Sequence, residues 1–471
     1  MNAQLHPSLS VREVLDATGG TLIRGEAQRI FLGVSTDTRT VASGNLFIPL
    51  KGERFDGHDF LEAAISAGAG GVLVQAEAAA GLSLERKDVT IVAVADTLQA
   101  LGALAHSWRM RFDIPVAAVT GSSGKTTTKE MAAAILGLRK SVLVTKGNLN
   151  NQVGLPLTLF GLDEDHEAVV VEMGTNLRGE IERLTRIAYP DVGLVTNVGP
   201  AHLEGLFSLD IVREEKGDLF RFMKPTGVAI INLDDDATRI LGGRWEGRRI
   251  TFGLGRGADV TASNVQKMGS EGIRFDLEIG GRSVNVRIGA PGEHNLQNAL
   301  AAAALARAMD IDLSQIQEGL EKHKAPPGRM EIHRLARGVF VIDDTYNANP
   351  LSVREAVKTL RFLKEGHRSM VILGDMLELG GQARRLHEEI GILLAESGTD
   401  ALFLKGNHSL EVAAGARRGG MPQECIHIFE TSGQIMPFIA DRLGRGDWIL
   451  VKGSRKMKME EIVDDILEAL P

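Results

Sequence analysis

Thr120-Gly121-Ser122-Ser123-Gly124-Lys125-Thr126-Thr127 is the segment best equipped for chemistry. Its glycines allow a tight turn whose backbone N–H groups converge on one polyphosphate. Lys125 can neutralise β and γ oxygens, and the Thr126 hydroxyl can ligate Mg2+. The spacing is a shortened G-x-x-G-K-T: position 119 is Val where the general phosphate loop has Gly, which argues against GTPases and motor ATPases. Glu172 closes the apolar run at 168–171, and His202 ends Asn197-Val198-Gly199-Pro200-Ala201-His202 after the next run. A carboxylate and an imidazole at such strand ends can hold a divalent ion beside the phosphates.

Other polar segments read two ways. Arg213-Glu214-Glu215-Lys216-Gly217-Asp218 has the charge pattern of a solvated helix face. Asn295 or Asn298, ahead of an alanine-rich helix, serves either as a cap or as a ligand contact. Asp343-Asp344-Thr345-Tyr346-Asn347-Ala348-Asn349-Pro350 is a polar turn or a ligand site at a strand's carboxyl end. Two apparent motifs fail on inspection. His387-Glu388-Glu389 has Gly391 where a zinc protease needs its second histidine, and Gly253-Leu254-Gly255-Arg256-Gly257 has the wrong spacing for a dinucleotide turn.

The elements needed to position these residues are legible as alternating runs. Residues 1–110 read as a mixed α/β unit, with an apolar run at 45–50, a helix over 59–67 and a strand at 71–74. Residues 111–325 open with the β-type run 116–120, the glycine turn and a helix over 129–138; strands at 168–171, 193–196 and 227–231 follow. Ala325-Pro326-Pro327-Gly328 makes a hinge. Residues 326–471 alternate strands at 339–342, 370–373, 401–404 and 448–451 with helices over 352–365 and 382–396. The expected class is α/β in three domains, with parallel sheets covered on both faces.

Bulk properties bound the rest. At 471 residues the chain exceeds one core, and 44% apolar with 24% charged residues is ordinary globular usage. The single cysteine, Cys425, rules out an internal disulfide and suits a reducing compartment. No leader-like start and no apolar stretch long enough to cross a bilayer point to a cytoplasmic protein without membrane insertion. With Lys plus Arg at 53 against Asp plus Glu at 61, the net charge of −8 disfavours a nucleic-acid partner.

Together, 120–127, 292–298, 343–350, Gly374-Asp375-Met376-Leu377-Glu378-Leu379-Gly380 and Val451-Lys452-Gly453-Ser454-Arg455 resemble the motifs of the Mur ligase family. The last three are similar to its branch that adds D-alanyl-D-alanine. Thr36-Asp37-Thr38-Arg39, Gly44-Asn45-Leu46-Phe47 and Gly52-Glu53-Arg54-Phe55-Asp56-Gly57-His58 look like that branch's UDP-binding domain. The resemblance implies an N-terminal UDP-sugar-peptide domain, a central ATPase domain and a C-terminal Rossmann-like domain, acting as a monomer. It implies ATP and Mg2+ as cofactors, and UDP-N-acetylmuramoyl-tripeptide and D-alanyl-D-alanine as partners. The product would be the pentapeptide precursor of peptidoglycan.

By position, the resemblance assigns Gly121, Ser122, Ser123, Gly124, Lys125, Thr126 and Thr127 to the phosphates. Asn295 falls on the adenine side, and Arg329 and Asp344 toward phosphates and ribose. Thr126, Glu172, His202 and Lys216 fall to metal, Lys216 as a carbamate, which replaces the solvated-face reading. Lys125, Lys216 and His202 are the implied catalytic set. Thr36, Asp37, Arg39, Asn347 and Asn349 are implied to bind substrate, with 452–455 near the acceptor. A folylpolyglutamate synthetase or another muramoyl-peptide ligase is the nearest alternative; the string 344–350 argues against both. An ATPase switch is the alternative of a different class, and it would turn over ATP without small substrates.

Overall fold

The computed structural model describes residues 7–52, 55–79, 88–255, 257–335 and 338–469, and only the backbone for 440–442. Residues 1–6, Glu53 and Arg54 of the first unit's motif, and Arg256 of the glycine turn lie outside the described residues.

Three large sheets carry the chain, each drawing its strands from one of the three expected segments, and a two-stranded antiparallel sheet pairs Ser8–Ser10 with Ile30–Leu32. In the first, Thr21–Arg24 runs antiparallel to Thr90–Val94, followed by the parallel strands Gly71–Gln75, Leu46–Phe47 and Val34–Ser35. Within the apolar run at 45–50, only Leu46–Phe47 is a strand.

The central sheet has nine strands. Val116–Thr120 lies between Ala168–Glu172 and Val192–Val195, all parallel, with every residue of the three buried. Burial on both faces is why these strands read as unbroken apolar runs rather than alternating ones. The expected all-parallel arrangement needs correction at one edge, where Val260–Lys267, Ile273–Ile279 and Arg282–Ile288 form an antiparallel meander. That meander buries only one face along its length, as its alternating burial records. Helix Glu293–Ala308 is buried almost all round, packed against both the sheet and helix Lys125–Leu136, so it is a core element.

The third sheet runs Glu331–Arg334, Phe340–Asp344, Trp448–Lys452, Ser369–Gly374, Ala401–Lys405 and Ile426–Ile428, parallel except for its first strand.

The units share cores. Helix Thr97–Arg109 packs on Gly154–Leu159 and Glu180–Ala188 of the central unit. Buried Arg109 donates to the carbonyls of Ala188, Phe112 and Ile114, satisfying its guanidinium at the seam. On the other side, Leu203 and Leu206 of the central unit join the third unit's core with Met376, Leu379 and Leu386. Among the described residues no helix is long and apolar enough to cross a membrane.

Candidate active site

The strand Val116–Thr120 delivers the glycine loop to its carboxyl end, and the helix begins at Lys125, earlier than the expected 129. The loop therefore runs straight into the helix, whose first amide N–H groups have no intrahelical acceptor. Gly121 and Gly124 have φ of 147° and 80°. A Cβ at Gly121 would strike Thr196 Oγ1, and one at Gly124 would strike Asn298 Oδ1, so both positions require glycine. Ser122 and Ser123 brace the loop: Ser122 Oγ donates to Gly199 O at 2.9 Å and the Ser123 amide to Asn197 Oδ1 at 2.9 Å.

Lys125 Nζ donates to Gly121 O at 2.9 Å. Burial lowers its pKa and Arg329 adds to the effect, while Glu172 and Glu378 oppose it. The Thr126 hydroxyl donates to Glu172 Oε2 at 2.7 Å, and Asn150 Nδ2 donates to Glu172 Oε1 at 2.7 Å. Thr127 is buried beside them. His202, at φ 55°, holds Glu378 Oε2 through Nδ1 at 2.7 Å. Burial lowers the His202 pKa, with Lys125 and Lys216 contributing and Glu378 opposing.

Lys216 overturns the reading from charge pattern. It is 1% exposed, and burial, reinforced by Lys125, drives its pKa well below the ordinary ammonium value. The neighbouring Glu215 is occupied by the Gly179 and Ile181 amides and the Thr175 hydroxyl. The solvated face of this helix is the one carrying Glu214, which pairs with Arg244.

Across the cleft stand residues of the third unit. Arg329 donates to Thr126 Oγ1 at 2.9 Å and stacks over Tyr346 with 4.0 Å to the ring centroid. Lys452, 2% exposed in its side chain, lies 2.5 Å from Asp344 Oδ2 and donates to Asn347 O at 2.9 Å. Asn349 caps helix Pro350–Leu363 through a capping box with Ser352, and its Nδ2 donates to Ser122 O at 3.1 Å, tying the third unit to the loop. These groups enclose a cleft of about 360 Å3. Its lining includes Ser122 through Thr127, Glu172, His202, Asn295, Arg329, Asp344, Asn347 and Asn349.

Capping by asparagine at the alanine-rich helix is a second correction. Gly292, at φ 97°, occupies the cap position. Asn295 Nδ2 donates to Pro291 O, and Asn298 Oδ1 accepts from Thr128 Oγ1. Thr36, Asp37 and Arg39 do not line this cleft. They follow the strand Val34–Ser35 in the first unit, where the Arg39 guanidinium holds the Asp37 carboxyl at about 2.

Sequence reasoning missed Asn150, Glu378 and His294. The amide-rich turn Asn148-Leu149-Asn150-Asn151 is the available signal for the first. Glu378 and His294 sat inside quoted motifs, but their roles depend on facing residues distant in the chain. His294 lines the cleft with Nδ1 buried and unpartnered, and burial lowers its pKa.

The donor set suits a hard divalent cation. Thr126 and Glu172 offer oxygens and His202 a nitrogen, close to a loop built for phosphate. Lys216 is not among the residues that line the cleft, and its ammonium does not suit a cation site.

Three family descriptions match in order: Mur ligase family, catalytic domain, over 31–109; Mur ligase middle domain over 119–306; and Mur ligase, glutamate ligase domain, over 328–455. The chain is 35% identical to the UDP-N-acetylmuramoyl-tripeptide–D-alanyl-D-alanine ligase of Bacillus subtilis, over 98% of each chain. A crystal structure of MurF from Acinetobacter baumannii superposes with a TM-score of 0.89 at 33% identity, covering 98% of this chain and all of that one. MurF ligase from Thermotoga maritima in complex with ADP gives 0.82 at 28%, covering 92% and 97%. With family matches in each of the three units and a relative aligned over nearly the whole chain, the chain belongs to the Mur ligase family.

Proposed function

We propose that this enzyme joins D-alanyl-D-alanine to UDP-N-acetylmuramoyl-tripeptide at the expense of ATP, giving the UDP-muramoyl-pentapeptide precursor of peptidoglycan. The observation that carries the reading is the cleft in which the glycine loop faces Arg329, Asp344 and Lys452 from the third unit. Near-complete alignment with ligases bearing that name supports the substrates.

A carboxylate does not acylate an amine in water at a useful rate. Attack of the tripeptide carboxylate on the ATP γ-phosphorus breaks the bond to ADP and yields an acyl phosphate. The amine of D-alanyl-D-alanine then adds to the acyl carbon, and collapse expels phosphate and releases a proton. Lys125, the loop amides and Arg329 offset the repulsion between the two anions in the first step. Mg2+, held by Thr126, Glu172 and His202 with the Lys216 carbamate, would neutralise developing phosphate charge. Burial of Lys216 favours the uncharged amine, the form that takes up CO2. Acyl phosphates hydrolyse, so contacts such as Asn349 to Ser122, which close the cleft against water, serve the chemistry.

Thr36, Asp37 and Arg39 are assigned to the UDP-sugar peptide, Asn295 to the adenine side, and Asp344 to ribose. Asn347 and Asn349 are assigned to the acceptor side, where the first also fixes Lys452 and the second caps a helix. Domain limits near 110 and 325 follow the gaps between sheets. The residues lining the cleft come from one chain, which fits a monomer, and use of ATP fits a cytoplasmic reaction. The test is phosphate release with each substrate alone and with both, followed by product mass. Release that requires both, with the pentapeptide mass, supports the ligase. Steady turnover with neither, and no new peptide, replaces it with an ATPase switch.

A further inference from the structure

We propose that Glu378 is a positioning residue for His202, so that docking of the third domain fixes the orientation of a metal ligand that belongs to the central one. The inference rests on the reading of His202 as a metal ligand.

His202 Nδ1 and Glu378 Oε2 lie 2.7 Å apart although 176 positions separate them in the chain. An ionised carboxylate only accepts, so the imidazole donates through Nδ1–H. This fixes the tautomer and leaves the Nε2 lone pair for the cleft, which His202 lines. Metal-bound imidazoles are held in this way: the second ring nitrogen donates to a carboxylate, which orients the ring and strengthens it as a ligand. Here the carboxylate is delivered across the interface.

The backbone around both residues is specified for this meeting. His202 and Glu378 adopt φ of 55° and 64°, a left-handed conformation that side chains other than glycine adopt at a cost. Such positions persist where their surroundings dictate them. Glu378 O accepts the Glu204 amide at 3.1 Å, pinning the two chain segments together on either side of the side-chain contact. A Cβ on Gly380, at φ 54°, would lie 3.0 Å from Glu204 Cα, so the third domain approaches the short helix Leu203–Leu206 as closely as glycine permits. Leu203 and Leu206 anchor this contact in the core with Met376 and Leu379. A shift of this interface would move Glu378 off the ring and leave His202 free to rotate. Metal competence would then follow closure rather than precede it.

The test uses the whole enzyme with Mn2+ as a paramagnetic probe and a non-hydrolysable ATP analogue, counting bound Mn2+ by electron paramagnetic resonance. The variants are Glu378→Gln, Glu378→Gly, His202→Asn and the His202→Asn/Glu378→Gln double. Glycine suits the positive φ, so Glu378→Gly removes the carboxylate without straining the chain. Both Glu378 variants are expected to weaken Mn2+ binding roughly 10-fold, and the double variant is expected to bind no more weakly than His202→Asn alone. Wild-type Mn2+ affinity in both Glu378 variants, with His202→Asn weakened, overturns the coupling and spares the ligand. Additive losses in the double variant overturn it too, since Glu378 would then act independently of the ring. Wild-type affinity in His202→Asn removes the ligand reading and the coupling with it.

Discussion

The Arg329 guanidinium donates to the Thr126 hydroxyl with its central carbon 4.0 Å from the centre of the Tyr346 ring, so a residue just past Pro326-Pro327-Gly328 touches the group assigned to Mg2+. Its Nε is buried without a protein partner, a donor held ready for an anion. Lysine can neither stack as a plane nor present a fork. Arg329→Lys is therefore expected to lower kcat/KM by about 100-fold and to weaken ADP binding, read by steady-state kinetics and calorimetry. Unchanged kinetics would remove Arg329 from the phosphate site.

Buried Lys452 and half-buried Asp344 pair at adjacent strand ends. Removing one partner leaves an uncompensated charge, so Asp344→Ala should cost on the order of 3 kcal/mol. It also strips the acceptor from the Met330 amide. Asp344→Ala combined with Lys452→Met should recover part of that loss in thermal unfolding, although neither protein should ligate. A single variant melting like the wild type would show that the pair contributes nothing.

Lys216 offers a test that no other lysine in the chain should pass. Stripping CO2 from enzyme and buffers is expected to lower ligation progressively, and bicarbonate to restore it. Lys216→Met should be inactive in both conditions with its fold intact by circular dichroism. Full activity after exhaustive CO2 removal would leave Lys216 as a buried amine.

His387 predicts the acid side of the stability curve. Its Nε2 accepts the Met376 amide at 3.0 Å and its Nδ1 donates to Ala383 O at 2.8 Å, so protonation would set two donors against each other. Burial lowers its pKa from 6.5, with His408 reinforcing and Ala383, Asp375 and Glu411 opposing. A base with a depressed folded pKa contributes stability that is complete above 6.5 and lost as pH falls through the folded value. His387→Gln should be about 1–2 kcal/mol less stable at pH 7.5. The gap between the two urea-unfolding curves should narrow below pH 6.5; a constant gap would mean the imidazole does not titrate in that range.

The phosphate loop was readable because its chemistry is local: strand, glycines, lysine and hydroxyl are contiguous, and the fold adds only direction. Lys216 was not, because Arg213-Glu214-Glu215-Lys216 looks uniformly solvated until helix packing sends Glu215 and Lys216 inward and leaves Glu214 outside. The antiparallel edge escaped notice since Val260–Lys267 is largely polar and partly exposed, with little apolar period to follow. Glu378 carries no local mark; its significance comes from the residue it meets.

Leu203 and Leu206 belong by sequence to the central domain and by packing to the third. Cutting the chain at Pro326 would bare both leucines on one fragment and an apolar socket on the other. The separated pieces should stick to each other or to themselves, so mixing them offers a route to reassembling the enzyme from two polypeptides.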